Sequence, residues 1–323
     1  MGADLPGRRI VRTVAVVGCG LIGRAWAVAF ARGGFEVRLW DPDGAAVTAA
    51  LAFARETLAE LARFGLVEDP AEAAARLRPA ATPEEVLAGA AYVQESAPER
   101  EEVKRELFRR LDALAAPETV LASSSSSLPA SVFAADLPGR GRCLVAHPVN
   151  PPCLVPVVEL VPAPFTTPAA LARAEEVMVR AGQVPVRLRR EIRGFVLNRL
   201  QAALLGEAFA LVREGVVSVE DLDRTVRDGL GLRWAFMGPF ETIDLNAPGG
   251  VRDYATRYGA MLAELQRPRA RPEPWEEPLV AEVERQRRAR LPAARLAERA
   301  RWRDRRLMAL LAHRREADRR FGR

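Results

Sequence analysis

The period of the apolar positions changes partway along the chain. Before residue 190, short β-branched runs alternate with segments of helical spacing. Val11 to Val17, Glu36 to Trp40, Tyr92 to Glu95, Val120 to Ala122, Leu144 to Ala146 and Val157 to Val161 are predicted strands. Ala25 to Arg32, Ala45 to Phe64 and Glu101 to Ala115 have helical composition, and Gly33-Gly34 stops the first of them. Strand and helix in alternation predict a parallel sheet covered on both faces. After Val186 the strands stop. Phe195 to Val212, Val219 to Leu230 and Leu296 to Ala312 read as helices, and Ser218 with Asp221 three residues on reads as an N-cap with an acidic first turn. Arg267 to Pro278 holds four prolines and reads as a loop. The change of pattern predicts an α/β domain over residues 1–190 and an all-α domain over 191–323, with a boundary near Glu191 to Gly194.

Composition narrows the class. The chain has 323 residues, 49% of them hydrophobic, enough to bury a core in each of two domains. No apolar run reaches the roughly 18 to 20 residues that cross a bilayer. Met1 to Thr13 has no apolar segment of the secretory kind. Cys19, Cys143 and Cys153 are too few and too scattered for a disulfide framework or a zinc site, so no metal is expected. These features predict a cytoplasmic protein. Lys104 is the only lysine against 47 arginines, as a GC-rich coding bias would produce. The net charge of +6 is local: Arg267 to Arg323 carries 18 arginines against nine acids, and the rest is slightly acidic.

Val17 runs into Gly18-Cys19-Gly20-Leu21-Ile22-Gly23, a G-x-G-x-x-G that follows a strand and opens a helix. Gly18 permits the tight turn, Gly20 lets backbone approach a pyrophosphate, and Gly23 lets the helix pack on the sheet. The phosphates would meet free N–H groups, including those of Leu21 and Ile22, and the positive end of the helix dipole. Asp41 ends the next strand, 18 residues after Gly23, where a carboxylate bonds ribose hydroxyls and repels a 2′-phosphate. The expected fold is therefore Rossmann-like and the expected cofactor NAD rather than NADP. FAD is the rival ligand for the same fingerprint. Arg38 precedes Asp41 and should point elsewhere, so it is not read as a 2′-phosphate clamp.

His147-Pro148-Val149-Asn150-Pro151 resembles the histidine motif of the L-3-hydroxyacyl-CoA dehydrogenase superfamily, and Gly194-Phe195-Val196-Leu197-Asn198-Arg199 resembles its second signature. Ser123 to Ser127, Val157 to Pro162, Asp228 to Arg233, and Glu241-Thr242 with Leu245-Asn246-Ala247 look like the lambda-crystallin / L-gulonate 3-dehydrogenase branch. The match runs from Val14 to Trp302-Arg303-Asp304. The resemblance implies His147 as general base, Glu159 holding its imidazole, and Asn198 and Ser126 bonding the reacting oxygen. It implies Asn150 near the nicotinamide, with Glu99 and Lys104 contacting the same side of NAD. The register in the serine run rests on Leu128 matching the leucine after the family's serine pair. It also implies a homodimer through the helical domain, which would carry the substrate cleft.

The chemistry agrees. Hydride transfer requires the alcohol to lose its proton as the hydride leaves, which suits a histidine base. Of the two histidines, His313 lies among charges in the terminal helix, and His147 ends a strand, where open α/β sheets bind ligands. A carboxylate on the next strand, Glu159, can fix the tautomer. Asn and Ser donors can polarise the forming carbonyl.

The Arg-rich tail interleaves Leu296, Trp302, Leu307, Met308, Leu310 and Leu311, which predicts a packed amphipathic helix rather than a nucleic-acid surface. The expected substrate is a small L-3-hydroxy acid of the L-gulonate kind, with a 3-hydroxyacyl-CoA as the alternative and a non-catalytic NAD-binding protein as a third reading. By the resemblance, the Ser and Lys positions that hold coenzyme A in the superfamily fall at Thr57 and Phe64. Phe64 removes the cation a CoA phosphate needs. Arg63, one residue earlier, lies about 100° round the helix.

Overall fold

The computed structural model describes residues 11–266 and 275–322. Eight strands form one sheet: β1 Thr13–Val17, β2 Glu36–Trp40, β3 Leu77–Pro79, β4 Tyr92–Glu95, β5 Val120–Ser123, β6 Cys143–Pro148, β7 Val157–Pro162 and β8 Val184–Arg187. Their spatial order is β3-β2-β1-β4-β5-β6-β7-β8. The strands from β3 across to β6 are parallel. At β7 the expected parallel sheet is corrected: β7 runs antiparallel to β6. The connection over 149–156 is too short for a crossover helix, so the chain must turn straight back. That reversal sets His147 directly opposite Glu159.

Both faces of the sheet are buried, which is why β1 reads as an unbroken apolar run. Val14 and Val16 enter one core with Trp26, Phe30 and Leu58, from helices α1 (Leu21–Arg32) and α2 (Gly44–Arg63). Ala15 and Val17 enter the other, with Phe108, Leu111 and Phe133. The chain leaves β1 toward β2 on one side and reaches β4 on the other. Beyond the carboxyl ends of these strands lies the crevice where such sheets take ligands. Edge strand β3 escaped the sequence reading because it is three residues long and ends in Pro79.

The described chain forms two compact units. One holds residues up to Asn198 together with those from Asp304 onward, and the other spans Arg199–Arg303. This partition differs from 1–190 and 191–323. The second unit is helical among its described residues. The helix expected over Val219 to Leu230 keeps α geometry only to Arg224, and Thr225–Leu230 widens into a π turn. Ser218 Oγ accepts the N–H of Asp221 at 3.1 Å, the cap read from sequence. Of the predicted proline-rich loop, residues 267–274 lie outside the described residues. Pro278 sits in the first turn of the helix Glu277–Arg290, where its missing N–H leaves no bond unmade.

The C-terminal helix Leu296–Phe321 is amphipathic as expected, and from Asp304 it belongs to the first unit. Met308 is 1% exposed in the core with Trp26, and Leu307, Leu311 and Ala312 pack beside it on one helical face. Arg305 Nε donates to Glu60 on α2 at 2.5 Å, and Arg315 reaches the Leu66 carbonyl at 3.5 Å. Leu296, Trp302 and Leu310, expected on the inner face, are exposed instead. No helix among the described residues is long and apolar enough to cross a membrane. Met308→Ala should lower the unfolding free energy by about 2–4 kcal/mol, and Leu310→Ala by under about 0.5 kcal/mol. Urea unfolding of both variants checks this, and equal losses would contradict the packing described.

Candidate active site

The glycine turn is built for close approach. Gly18 has φ +91°, and a Cβ there would lie 2.8 Å from the Ser96 carbonyl carbon and 2.9 Å from the Ala97 nitrogen. A Cβ on Gly23 would meet the Gly18 carbonyl oxygen at 1.8 Å, so α1 can pack on the turn only with glycine there. At Gly20 nothing lies within 4 Å of a built Cβ, so its surface is open to a ligand. Gly20 caps α1 without a side-chain bond, leaving the first-turn N–H groups of Leu21 and Ile22 free of a cap. Asp41, just past β2, accepts the N–H of Cys19 at 2.8 Å and that of Asp43 at 2.9 Å, tying it to the glycine turn. Beside it is a cavity of about 690 Å³ lined in part by Trp40, Asp41, Pro42, Pro79 and Ala80. Arg38 points away, donating to the carbonyls of Glu85 and Ala88. Open glycine backbone, a helix N-terminus, a carboxylate and an adjoining cavity together fit a dinucleotide.

Glu99 is held by the serine run. Its Oε1 accepts from Ser125 Oγ at 2.8 Å, Ser126 N at 2.9 Å, Ser127 N at 2.6 Å and Ser127 Oγ at 2.9 Å. Desolvation would raise its pKa, but these bonds outweigh it and bring it down to about 2. Ser126 thus uses its backbone N–H on Glu99, while its hydroxyl bonds no described residue. Its carbonyl accepts Asn198 Nδ2 at 2.9 Å, so the structure brings Ser126 and Asn198 together.

His147 is 4% exposed, with Nδ1 2.8 Å from Glu159 Oε2. Glu159 Oε1 accepts the N–H groups of Val196 at 2.8 Å and Leu197 at 3.0 Å. Burial would raise the Glu159 carboxyl, but the bonds from His147, Leu197 and Val196 hold it below its ordinary value. As a carboxylate it can only accept, so His147 Nδ1 carries the proton and Nε2 of the neutral ring is left bare. Gly194 and Phe195 deliver those two N–H groups through left-handed backbone, at φ +74° and +49°. The second value is uncommon for a residue with a side chain. The fully buried Phe195 ring packs against the imidazole, centroids 5.4 Å apart. Sequence reasoning did not find Phe195, although it lies in a quoted motif and follows a glycine. Asn150 lies exposed in the loop after β6.

Lys104, expected at the nicotinamide side of NAD, lies on the helix Glu101–Leu114. It is 1% exposed, and its three N–H groups go to Glu95 Oε1 at 3.0 Å, Glu95 Oε2 at 2.9 Å and Ser123 Oγ at 3.2 Å. The reading from sequence missed Glu95 and Ser123; an acid closing the apolar strand β4 was the available signal.

The sequence profile of the 3-hydroxyacyl-CoA dehydrogenase NAD binding domain matches residues 13–192, and that of the 3-hydroxyacyl-CoA dehydrogenase C-terminal domain matches residues 194–292. The chain belongs to the 3-hydroxyacyl-CoA dehydrogenase family. Like other members, it is an NAD-dependent dehydrogenase acting on a CH–OH group. A lambda-crystallin homolog of Bos taurus is 50% identical over 257 residues, 79% of this chain and 80% of the relative. An L-carnitine dehydrogenase of Streptomyces griseus is 40% identical over 253 residues, 78% of this chain and 75% of the relative. The structure of (S)-3-hydroxybutyryl-CoA dehydrogenase from Ralstonia eutropha matches with a TM-score of 0.65 and 27% identity, over 81% of this chain and 91% of that one.

Two outcomes follow for this family member. NAD should bind far more tightly than NADP, and Asp41→Ala should narrow the gap; equal affinities in the wild type, measured by titration, would contradict the role of Asp41. The depressed Glu99 pKa contributes stability that is complete above its unfolded value near about 4.3 and is lost as pH falls toward about 2. Glu99→Gln should therefore lower the urea midpoint at pH 7, by a margin that shrinks at pH 3. A margin independent of pH would contradict it.

Proposed function

We propose that this dehydrogenase oxidises the C3 hydroxyl of a small free L-3-hydroxy acid of the L-gulonate kind to the 3-keto acid. The observation that carries this choice over a coenzyme A thioester is the placing of Thr57 and Phe64 on and just after α2. Thr57 is buried there, and Phe64 is half-buried and packs against the core, as do Leu307 and Leu311 of the C-terminal helix. The two positions that the resemblance assigns to coenzyme A thus offer it neither an exposed hydroxyl nor a cation. The likeness to an L-carnitine dehydrogenase supports a free hydroxy acid, since carnitine is one.

In this reading the substrate hydroxyl gives its proton to His147 Nε2, and Glu159 stabilises the imidazolium that forms. Asn198 and the unengaged hydroxyl of Ser126 donate to the oxygen as it becomes a carbonyl. Glu99 and Asn150 border the nicotinamide, which when bound supplies the acceptor for the hydride. The glycine turn and Asp41 hold the phosphates and ribose. The thioester reading keeps one supporting feature, the exposed cation Arg63 beside Phe64. The ordered His147–Glu159 pair favours catalysis over mere NAD binding. We further propose a cytoplasmic homodimer: in the helical unit Leu200, Phe236, Phe240, Leu245 and Leu265 are exposed, more apolar surface than a lone helical bundle needs to show.

His147→Gln should leave NADH affinity nearly unchanged and lower turnover by about 10² to 10⁴, and Glu159→Gln should also slow turnover by releasing the imidazole. Near-normal turnover in His147→Gln would show that another residue is the base. For the substrate, kcat/KM should be compared for L-gulonate, L-3-hydroxybutyrate and 3-hydroxybutyryl-CoA on one preparation. A free acid should win, and a thioester ahead by about tenfold or more, roughly 1.4 kcal/mol in transition-state binding, would install the acyl-CoA reading instead.

A further inference from the structure

A chain of polar side chains crosses the core behind the glycine turn, and its protons can be counted. Tyr92, Gln94 and Ser96 alternate along β4 and the residue after it, and their side chains meet on one face of the sheet. Trp26 reaches the same place from α1, and Ser124 from just past β5. Tyr92 is fully buried, which pushes its phenol well above the ordinary range, so it keeps its proton and donates to Gln94 Oε1 at 2.7 Å. That bond fixes the amide. Gln94 Nε2 donates to Ser124 Oγ at 2.7 Å and to the Ala146 carbonyl at 3.3 Å. Trp26 Nε1 donates to the same Ser124 oxygen at 3.1 Å. A hydroxyl has two lone pairs and one proton. Both lone pairs of Ser124 are taken, so its proton goes to its remaining partner, Ser96 Oγ, at 2.9 Å. Ser96 is therefore the acceptor in that pair, and its own proton meets no acceptor among the described residues.

Ser96 stands where the sheet takes ligands. β1 and β4 are neighbours, and the chain leaves β1 for β2 on the other side, so the crevice opens at the ends of these strands. Ser96 N donates to the Val17 carbonyl at 2.7 Å, and the Ser96 carbonyl carbon lies 2.8 Å from where a Cβ on Gly18 would be. Half-buried Ser96 thus forms part of the wall of the glycine turn. Across the sheet, the order at the carboxyl ends is Asp41 past β2, the glycine turn past β1, then Ser96 past β4. With the adenosine ribose at Asp41 and the phosphates at the glycine turn, the next part of the dinucleotide in that direction is the nicotinamide ribose. We propose that the Ser96 hydroxyl donates its unengaged proton to an oxygen of the nicotinamide ribose, which makes Ser96 a further NAD-binding residue. The donors behind it, from Tyr92 and Trp26 through Ser124, turn that proton outward and polarise it. The inference rests on the placing of the phosphates and adenosine ribose proposed above.

The test is fluorescence titration of NADH on the full-length protein carrying Ser96→Ala or Ser96→Cys, with ADP measured by competition. ADP has the adenosine and both phosphates but lacks the nicotinamide ribose. Ser96→Ala should weaken NADH binding about three- to tenfold, the worth of one hydrogen bond, and leave ADP within about twofold. Ser96→Cys fills the same space with a weak donor and should lose nearly as much. Unchanged NADH affinity in both variants would overturn the proposal. So would equal losses for ADP and NADH, which would put the effect at the phosphates or in a disturbed glycine turn. Normal NADH binding in Ser96→Cys with a loss in Ser96→Ala would also overturn it, because packing would then account for the loss. Asp41→Ala, measured alongside, should weaken ADP and NADH alike. If it weakens neither, the placing of the adenosine half fails and the proposal with it, whereas a failure at Ser96 alone leaves that placing intact. None of these readings needs a substrate, so a wrong choice of hydroxy acid would leave them standing.

Discussion

Glu159 is the side chain on which the arrangement of the site depends. It is buried opposite His147 on an antiparallel strand pair, where a carboxylate without partners would be costly. Three donors compensate it: one imidazole N–H and two backbone N–H groups at the start of the helix Leu197–Arg213. The same carboxylate therefore sets the histidine tautomer and anchors the helix that carries Asn198. The reversal of β7 makes this possible, because a parallel strand reached through a crossover would need a longer connection than residues 149–156 provide. The left-handed backbone at Phe195 is sustained by the two N–H bonds it permits and by the burial of its ring.

A second carboxylate organises the neighbouring loop by the same physics. Glu99 takes side-chain and backbone donors from successive serines, which turns a low-complexity run into a fixed turn. Ser126 is then left with its hydroxyl unengaged and its carbonyl on Asn198. Behind both loops the Glu95–Lys104–Ser123 triad closes the ends of β4 and β5. Three acids, Glu95 at the end of β4, Glu99 in the loop after it and Glu159 within β7, each satisfied by a different donor set, thus face the cofactor turn, the serine loop and the imidazole.

Much of this was legible in the sequence because it depends on local pattern. The strand before Gly18, the spacing to Asp41, the His147 motif and the cap at Ser218 are read from neighbours in the chain. What escaped depends on contacts distant in sequence. The partners of Lys104, Glu95 and Ser123, come from two strands and could not be read from its neighbours in the chain. Antiparallel β7 escaped because β-branched periodicity does not report strand direction. Of the six apolar positions read as the tail's inner stripe, Leu296, Trp302 and Leu310 are exposed, since an amphipathic stripe does not say which part of it meets a core. The tail's return to the first unit, through Met308 and Arg305, carried no signal in its composition.

The most direct measurement of the central claim is the tautomer of His147. The chain has two histidines, and His313 is exposed, so a ¹⁵N-histidine spectrum of the whole protein is readable. The neutral ring of His147 should show a protonated Nδ1 and a bare Nε2, the form that Glu159 imposes and a proton acceptor requires. Glu159→Gln should loosen that preference. A wild-type His147 with its proton on Nε2 would contradict the account, because the nitrogen meant to receive the substrate's proton would already be occupied.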